Sequence, residues 1–532
     1  MLSKPKRSIL PFLICSISFF IILFFGHPIY NSGDDVYLLY LLSGGFGDAP
    51  TNLLHYNYGM HPLFGWFIKN LFTQFPDINW YSLILYALHF ISCWILLKIF
   101  LATKRLYEAV LIFCLIFFVF EGQFLLNLTF SNTALIVAMA GILLLLQESS
   151  KTIPDKKIII VSITLIAIST MLRLHTLIPI ALIASPIIIF RLSQKRFFLF
   201  YSICIACIVI FFLNYFQQQY YSDKIPDWKT EEAYRQTALS YYNIPKIKQA
   251  DKAHMPISFL DNGLFFDKQF LSVDKIQEAT QQTHISSALS EKKSSDFLYW
   301  AFINSRIFWF ASLIMFLMTM LRSNKTERIL NFSCLIIMLS LLAYLLFFKK
   351  LPFYLIPALI LFYILLTTIL PEKQIDSFTR FYRINKTILT FLIFVTLAWS
   401  IMRIQKAISF NKEKNDLFIC AWKELNAHPD KLFVITDDHF PMDHFSVWDS
   451  PKKYAIKNLL YKDQLLNNTY QSIYNRFSIT SPKDFINNPA IIFTGRKIIE
   501  MEDYYKTVWK TDVHFSQKDT SFVCIEVYQL KF

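Results

Sequence analysis

From Ile9 to Tyr30 the chain runs almost without a polar break, and the pattern returns ten more times. The later apolar stretches cover 79–100, 105–120, 131–147, 157–172, 174–190, 197–215, 297–321, 328–348, 351–370 and 384–402. Roughly 20 mostly apolar residues carry a helix across about 30 Å of hydrocarbon, so the pattern predicts about eleven transmembrane helices. The break between the fifth and sixth rests only on Arg173 and His175, in STMLRLHTLIP. Lys4, Lys6 and Arg7 precede the first stretch in the manner of a signal peptide. The apolar run is longer than a usual signal core and no small-residue cleavage site follows, so it is read as a retained span.

Two longer polar insertions interrupt the spans. In residues 31–78 a Gly-rich turn, SGGFGDAP, is followed by apolar positions 63, 64, 67, 68, 71 and 72, whose spacing predicts a helix lying along the membrane interface. Residues 216–296 are polar and rich in Tyr, with helices expected around 229–240 and 285–296, and are suited to cover a substrate. From residue 404 the pattern becomes that of a soluble α/β unit, with strands expected at 431–436, 490–494 and 521–530. The expected organisation is a membrane part, 1–403, with outer loops 31–78 and 216–296, and an extracytoplasmic α/β domain, 404–532.

Composition and charge agree. With 55% hydrophobic and 17% charged residues the chain does not belong to the water-soluble globular class. If the N-terminus is cytoplasmic, the inner connections carry nineteen Lys and Arg and the opposite short connections only Lys69, Arg173, Lys349 and Lys350. Basic residues resist translocation, so the multi-pass chain is expected in the inner (plasma) membrane with its N-terminus cytoplasmic and its C-terminal domain outside. The net charge of +14 is largely this excess, which anionic membrane lipid satisfies, and no nucleic-acid partner is read from it. Six cysteines fall in spans, where a thiol is a small apolar group. Cys420 and Cys524 lie in the outer tail and can form one disulfide.

Against this background Asp34 and Asp35 stand out, placed just past the first span in NSGDDVYLLYLL. One of them can cap the following helix. Adjacent side chains point apart, so two carboxylates can divide roles, one facing a cavity and one holding backbone. Arg173 with His175, and Lys349 with Lys350, are cations kept on the outer rim against the insertion bias. Arg offers phosphate a fork and Lys a point charge. Acid and cations suit sugar transfer from a lipid phosphate: the leaving phosphate needs charge stabilisation and the acceptor hydroxyl must lose a proton.

A first span followed at once by an outer loop with an Asp-Asp pair, an interfacial helix, many spans and an outer C-terminal domain resembles the GT-C glycosyltransferases. The protein mannosyltransferases and the lipid A aminoarabinose transferase form the subset that is most similar. The resemblance covers the architecture of the whole chain, and its specific motif is GDD at 33–35. It implies that Asp34 or Asp35 is the catalytic base or helps bind the acceptor, and that Arg173, Lys349 and Lys350 hold the lipid phosphate. The implied partners are a lipid-linked sugar donor and a glycan, lipid or protein acceptor. Some relatives with pyrophosphate donors need a divalent metal, but no WWD-type segment or carboxylate set is present here, and no cofactor is expected.

Other residues carry less. His55, Asn57 and His61, in LLHYNYGMHP, are candidates to bind sugar hydroxyls, and Glu121 is a candidate second acid. His89, within the second span, is expected to be hydrogen-bonded between helices. TDDHFPMDH, 436–444, has metal-binding residue types without ligand spacing and is read as a polar loop. A polysaccharide polymerase or ligase is the alternative, and would draw on Arg235, His254 and His284 in the large outer loop. A lipid-linked substrate transporter is disfavoured by spans nearly free of charge.

Overall fold

The computed structural model describes residues 4–54, 59–242, 270, 272–282, 299–348, 351–352, 354–369, 380–435, 440–461, 471–481, 483–494, 498–515, 522–525, 527–528 and 530–531. Helix α1 (Lys4–Phe25) leads through strand β1 (Ile29–Tyr30) into α2 (Gly33–Ser43), which carries both aspartates. Ser32 caps α2, its hydroxyl accepting from Asp34 N–H, and Gly44 ends it in the left-handed region at φ +76° with its N–H on Tyr40 O. The expected interfacial segment is α3 (Pro62–Gln74).

Next come α4 (Trp80–Thr103) and α5 (Leu106–Ile116), the latter continuing through a π-turn, Phe117–Glu121, into α6 (Gly122–Leu126). Strand β2 (Asn127–Leu128) pairs in parallel with β1. It brings the start of α7 (Phe130–Ser149) beside the start of α2. Then follow α8 (Lys156–Arg173), α9 (Leu177–Ser193), α10 (Phe197–Lys224), α11 (Trp228–Tyr242) and α12 (Val273–Gln282). The bundle closes with α13 (Arg306–Arg322), α14 (Lys325–Phe348), α15 (Leu355–Ile369) and α16 (Arg380–Ala427).

Seven helical runs among the described residues are long and apolar enough to cross a membrane, and three shorter apolar helices, Ile9–Phe25, Arg306–Met320 and Leu355–Ile369, accompany them. One of the seven, 156–193, is a hairpin. Arg173, at the end of α8, bonds Ser131 at the start of α7, whereas Arg191, near the end of α9, bonds Ser149 and Ser150 at the end of α7. The chain therefore reverses at Arg173–Thr176, where the single turn Leu174–Thr176 separates the two helices. Counted this way, all eleven apolar stretches carry helices. The chain is a polytopic α-helical membrane protein.

Small residues let the bundle close tightly. Ser162 and Ser169 of α8 donate to Gly141 O (2.7 Å) and Ala134 O (2.8 Å) of α7. A Cβ on Gly141 would lie 3.0 Å from Ile166 Cγ1 and 3.1 Å from Ser162 O, a crowding that glycine avoids. The third span runs past its expected end at 120. The π-turn continues the helix to Leu126, turns Glu121 into the bundle, and leaves Phe118 O to accept from Ser400 of α16.

Helix α16 extends well beyond 402, because no Gly or Pro interrupts it before Ala427. Beyond it, β3 (Leu432–Ile435) pairs in parallel with β4 (Leu459–Tyr461) and β5 (Ile491–Thr494). Strand β6 (His514–Phe515) pairs antiparallel with β8 (Leu530–Lys531), and β7 (Val527–Tyr528) antiparallel with β5. The strand expected over 521–530 is thus shortened. Cys524 is disulfide-bonded to Cys420, and Glu424 takes the Val523 and Cys524 N–H groups at 2.7 and 2.9 Å, removing the donors a strand would use. The helix expected at 285–296 lies outside the described residues.

The tail packs directly on α2. Tyr30 N–H donates to Phe445 O (3.3 Å) and Val447 N–H to Pro28 O (3.3 Å). Ile456 N–H donates to Gly45 O at 2.9 Å and Tyr40 OH to Tyr454 O. Asn79, buried at the start of α4, reaches Tyr30 OH (3.1 Å), Val447 O (3.0 Å) and Asp449 O (3.1 Å). The helix bearing the aspartates is therefore held between bundle and tail.

Candidate functional site

The two aspartates are placed differently although they are neighbours. Asp34, at the second position of α2, is exposed. Asp35 is 0% exposed, and its Oδ1 accepts from Tyr81 OH at 2.8 Å and from Phe130 N–H, the first amide of α7, at 2.7 Å. One carboxylate holds backbone while the other faces out.

Burial pushes the Asp35 carboxyl up to about 7, the hydrogen bonds from Phe130 and Tyr81 notwithstanding. Its Oδ2 is buried without a hydrogen-bond partner, which suits it to carry a proton. Unfolded, the group titrates near ~3.9. Between those values the folded chain holds a proton that the unfolded chain has released, so stability falls as pH rises through that window. The full effect is on the order of 4 kcal/mol. The melting temperature of the detergent-purified protein is expected to drop from pH 5 to pH 8, with a flatter profile in Asp35→Asn. An unchanged slope in that variant would place the titration elsewhere.

Arg173 ends α8 and reaches the same helix start. Its Nη1 donates to Ser131 Oγ and to Tyr354 OH at 2.9 Å, and its Cζ lies 5.4 Å from the Phe130 ring centroid. It is half-buried and meets no carboxylate among the described residues. Its Nε–H and Nη2 groups likewise have no acceptor among them, so one edge of the fork is open. Asp35 and Arg173 thus grip consecutive residues, Phe130 and Ser131, at an end of α7 where the helix dipole already favours an anion.

The remaining candidates are spread unevenly. His175 is exposed in the turn after Arg173. His61 is 2% exposed and caps α3: its Nδ1 accepts from Leu63 N–H (3.2 Å), its Nε2–H donates to Leu213 O (2.9 Å), and its own N–H bonds Met171 O (2.8 Å). It anchors α3 two residues from Arg173, with both ring nitrogens engaged by the protein. Glu121 is 1% exposed and pairs with His89 Nδ1 at 2.6 Å, while His89 Nε2 meets Thr133 Oγ1 at 3.0 Å, so the expected interhelical role of His89 is seen. His89, on α4, thereby links Glu121 of the π-turn to α7 one turn below the site.

His55, Asn57, Lys349 and Lys350 lie outside the described residues, as do His254 and His284. The connection bearing the two lysines leads into Tyr354, which bonds Arg173. Arg235 is engaged within α11, its Nε 2.8 Å from Glu232. Of 436–444, residues 436–439 lie outside the described residues. The turn Met442–His444 packs on α2, where a Cβ on Gly33 would lie 3.8 Å from Met442 Cβ.

Sequence reasoning missed Tyr81, Ser131 and Tyr354. Tyr354 follows the lysine pair in KKLPFY and Ser131 follows a capping Thr129, so both had a weak local signal. Tyr81 reads only as an aromatic at a span edge.

No family model matches the chain, and no curated protein does. Among solved structures, the fold is similar to the crystal structure of ArnT from Cupriavidus metallidurans bound to undecaprenyl phosphate. The TM-score is 0.50 at 11% sequence identity, covering 99% of this chain and 98% of that one. The chain has a GT-C-like fold.

Proposed function

We propose that the chain transfers a sugar from a polyprenyl-phosphate-linked donor to an acceptor hydroxyl on the extracytoplasmic face, with inversion at the anomeric carbon. The observation that carries this reading is Arg173: a half-buried guanidinium that among the described residues has no carboxylate beside it and no acceptor on its Nε and Nη2 edge, at the helix start that also seats the Asp34–Asp35 turn. The structural neighbour that binds undecaprenyl phosphate supports the choice of donor. The charge bias of the connections supports the orientation, with the aspartate end outside.

In this reading Asp34 is the base and Asp35 a positioning residue. Asp34 takes the acceptor proton as the hydroxyl oxygen attacks the anomeric carbon from the face opposite the phosphate. The C–O bond to phosphate breaks, its electron pair stays on the phosphate oxygen, and the added charge falls to Arg173, aided by the α7 dipole and by Lys349 and Lys350. Attack from the opposite face inverts the centre. No general acid is required, because the phosphate leaves as an anion.

Proteoliposomes holding the full chain, given undecaprenyl-phosphate-linked hexoses and pentoses together with envelope extract as acceptor, are expected to release free undecaprenyl phosphate with one donor class. No release with any of them would contradict the proposal.

A further inference from the structure

Two more cations stand at the aspartate end of the bundle, on helices the site above does not use. Arg306 opens α13, and its Cζ lies 5.3 Å from the ring centroid of Trp399 on α16. Arg403, on α16, returns the contact, its Cζ 5.5 Å from the ring centroid of Phe308 on α13. The crossed stacking, Arg306 on Trp399 and Arg403 on Phe308, brings two like charges to the same crossing of α13 and α16, where they repel. Phe308 packs against Phe120 with centroids 5.0 Å apart, and Ile404, next to Arg403, comes within 3.2 Å of where a Gly122 Cβ would be. The pair therefore flanks the π-turn, about one helical turn from the end of the bundle where β2 meets β1.

Among the described residues neither arginine forms an ion pair or donates a hydrogen bond to an acceptor. Arg306 is exposed and Arg403 half-buried. Snorkelling alone would carry two like charges apart into water, since each stem is free to swing outwards. Here each is instead laid on an aromatic ring of the opposite helix. Stacking uses the face of a guanidinium and leaves its in-plane N–H edges open. Two such edges, held near one another at a membrane rim, match the oxygens of a single tetrahedral anion, whose charge would also cancel their repulsion.

We propose that Arg306 and Arg403 together form a binding site for one phosphate group, separate from the Arg173 position and independent of the transferase reading. Phosphate is the shared chemistry of an anionic phospholipid headgroup, a polyprenyl phosphate and the free ion.

The test is native mass spectrometry of the full-length protein, purified in detergent and stripped of lipid, then offered phosphatidylglycerol, undecaprenyl phosphate or inorganic phosphate. Retention of at least one of these is expected, and the ligand retained best identifies the source. In an Arg173→Ala background, which removes the phosphate contact of the transferase reading, Arg306→Gln and Arg403→Gln are each expected to lower retention about tenfold or more, with Lys variants in between. The lipid-free Gln variants are expected to melt no lower than wild type, because each removes one member of a repelling pair. The proposal is overturned by undiminished retention when both Gln substitutions are added to Arg173→Ala, or by a lower melting temperature of the lipid-free Gln variants.

Discussion

Asp34→Asn is expected to slow sugar transfer by about 10²–10⁴-fold, the usual worth of a positioned base, while the protein stays folded. The side chain is exposed, and the Ser32 cap bonds the backbone N–H of residue 34 rather than its carboxylate, so Asn keeps the local hydrogen bond. What folding loses is the favourable placement of a negative charge in the first turn of α2, about 0.3–1 kcal/mol. Catalysis loses roughly 3–5 kcal/mol of barrier lowering. The contrast with Asp35 is what gives the variant its meaning. Asp35 is sealed from any acceptor, and its replacement acts through the Tyr81 and Phe130 contacts and hence through stability. Transfer rates measured alongside melting temperatures separate the two: full activity in Asp34→Asn with a dead, well-folded Asp35→Asn would reverse the assignment.

Arg173→Ala is the second large effect. Removing a donor aimed at developing charge in a water-poor site costs about 10²–10³-fold in rate, and donor binding weakens with it. Arg173→Lys restores the charge without the fork and is expected to recover only part of the loss. Stability is expected to fall by only about 1–3 kcal/mol, because the guanidinium has no carboxylate partner among the described residues and the main contact it leaves unmet is the buried Ser131 hydroxyl. The check is the dependence of rate on donor and acceptor separately: the donor term is expected to move and the acceptor term to hold. A variant with unchanged donor dependence would remove Arg173 from the phosphate.

The membrane fold was legible because a span leaves a long local record. Runs such as 131–147 announce themselves without knowledge of any neighbour, and the helices α3 and α11 and the strands β3 and β5 fall where spacing and composition put them. That one aspartate would hold backbone while its neighbour pointed elsewhere was also legible, since adjacent side chains must diverge. Arg173 could be marked as an exception to the charge bias. Its partners could not be read, because Ser131 and Tyr354 lie 42 and 181 residues away and such pairings write nothing into local pattern. The third apolar stretch ends at 120 in the sequence, just before Glu121, whereas a π-turn, invisible to a 3.6-residue period, carries the helix on to Leu126. The short strand near Cys524 failed for a related reason: a disulfide and the Glu424 carboxylate, both tertiary, claim its backbone.

Arg306 and Arg403 offer a competing address for a lipid phosphate, so the decisive measurement is one of position. A cryo-EM structure of the full chain with undecaprenyl phosphate is predicted to show the phosphate on the open edge of Arg173, at the start of α7, with Asp34 facing the space beside it. No phosphate density at Arg173, with Asp34 turned to bulk solvent, would contradict the account.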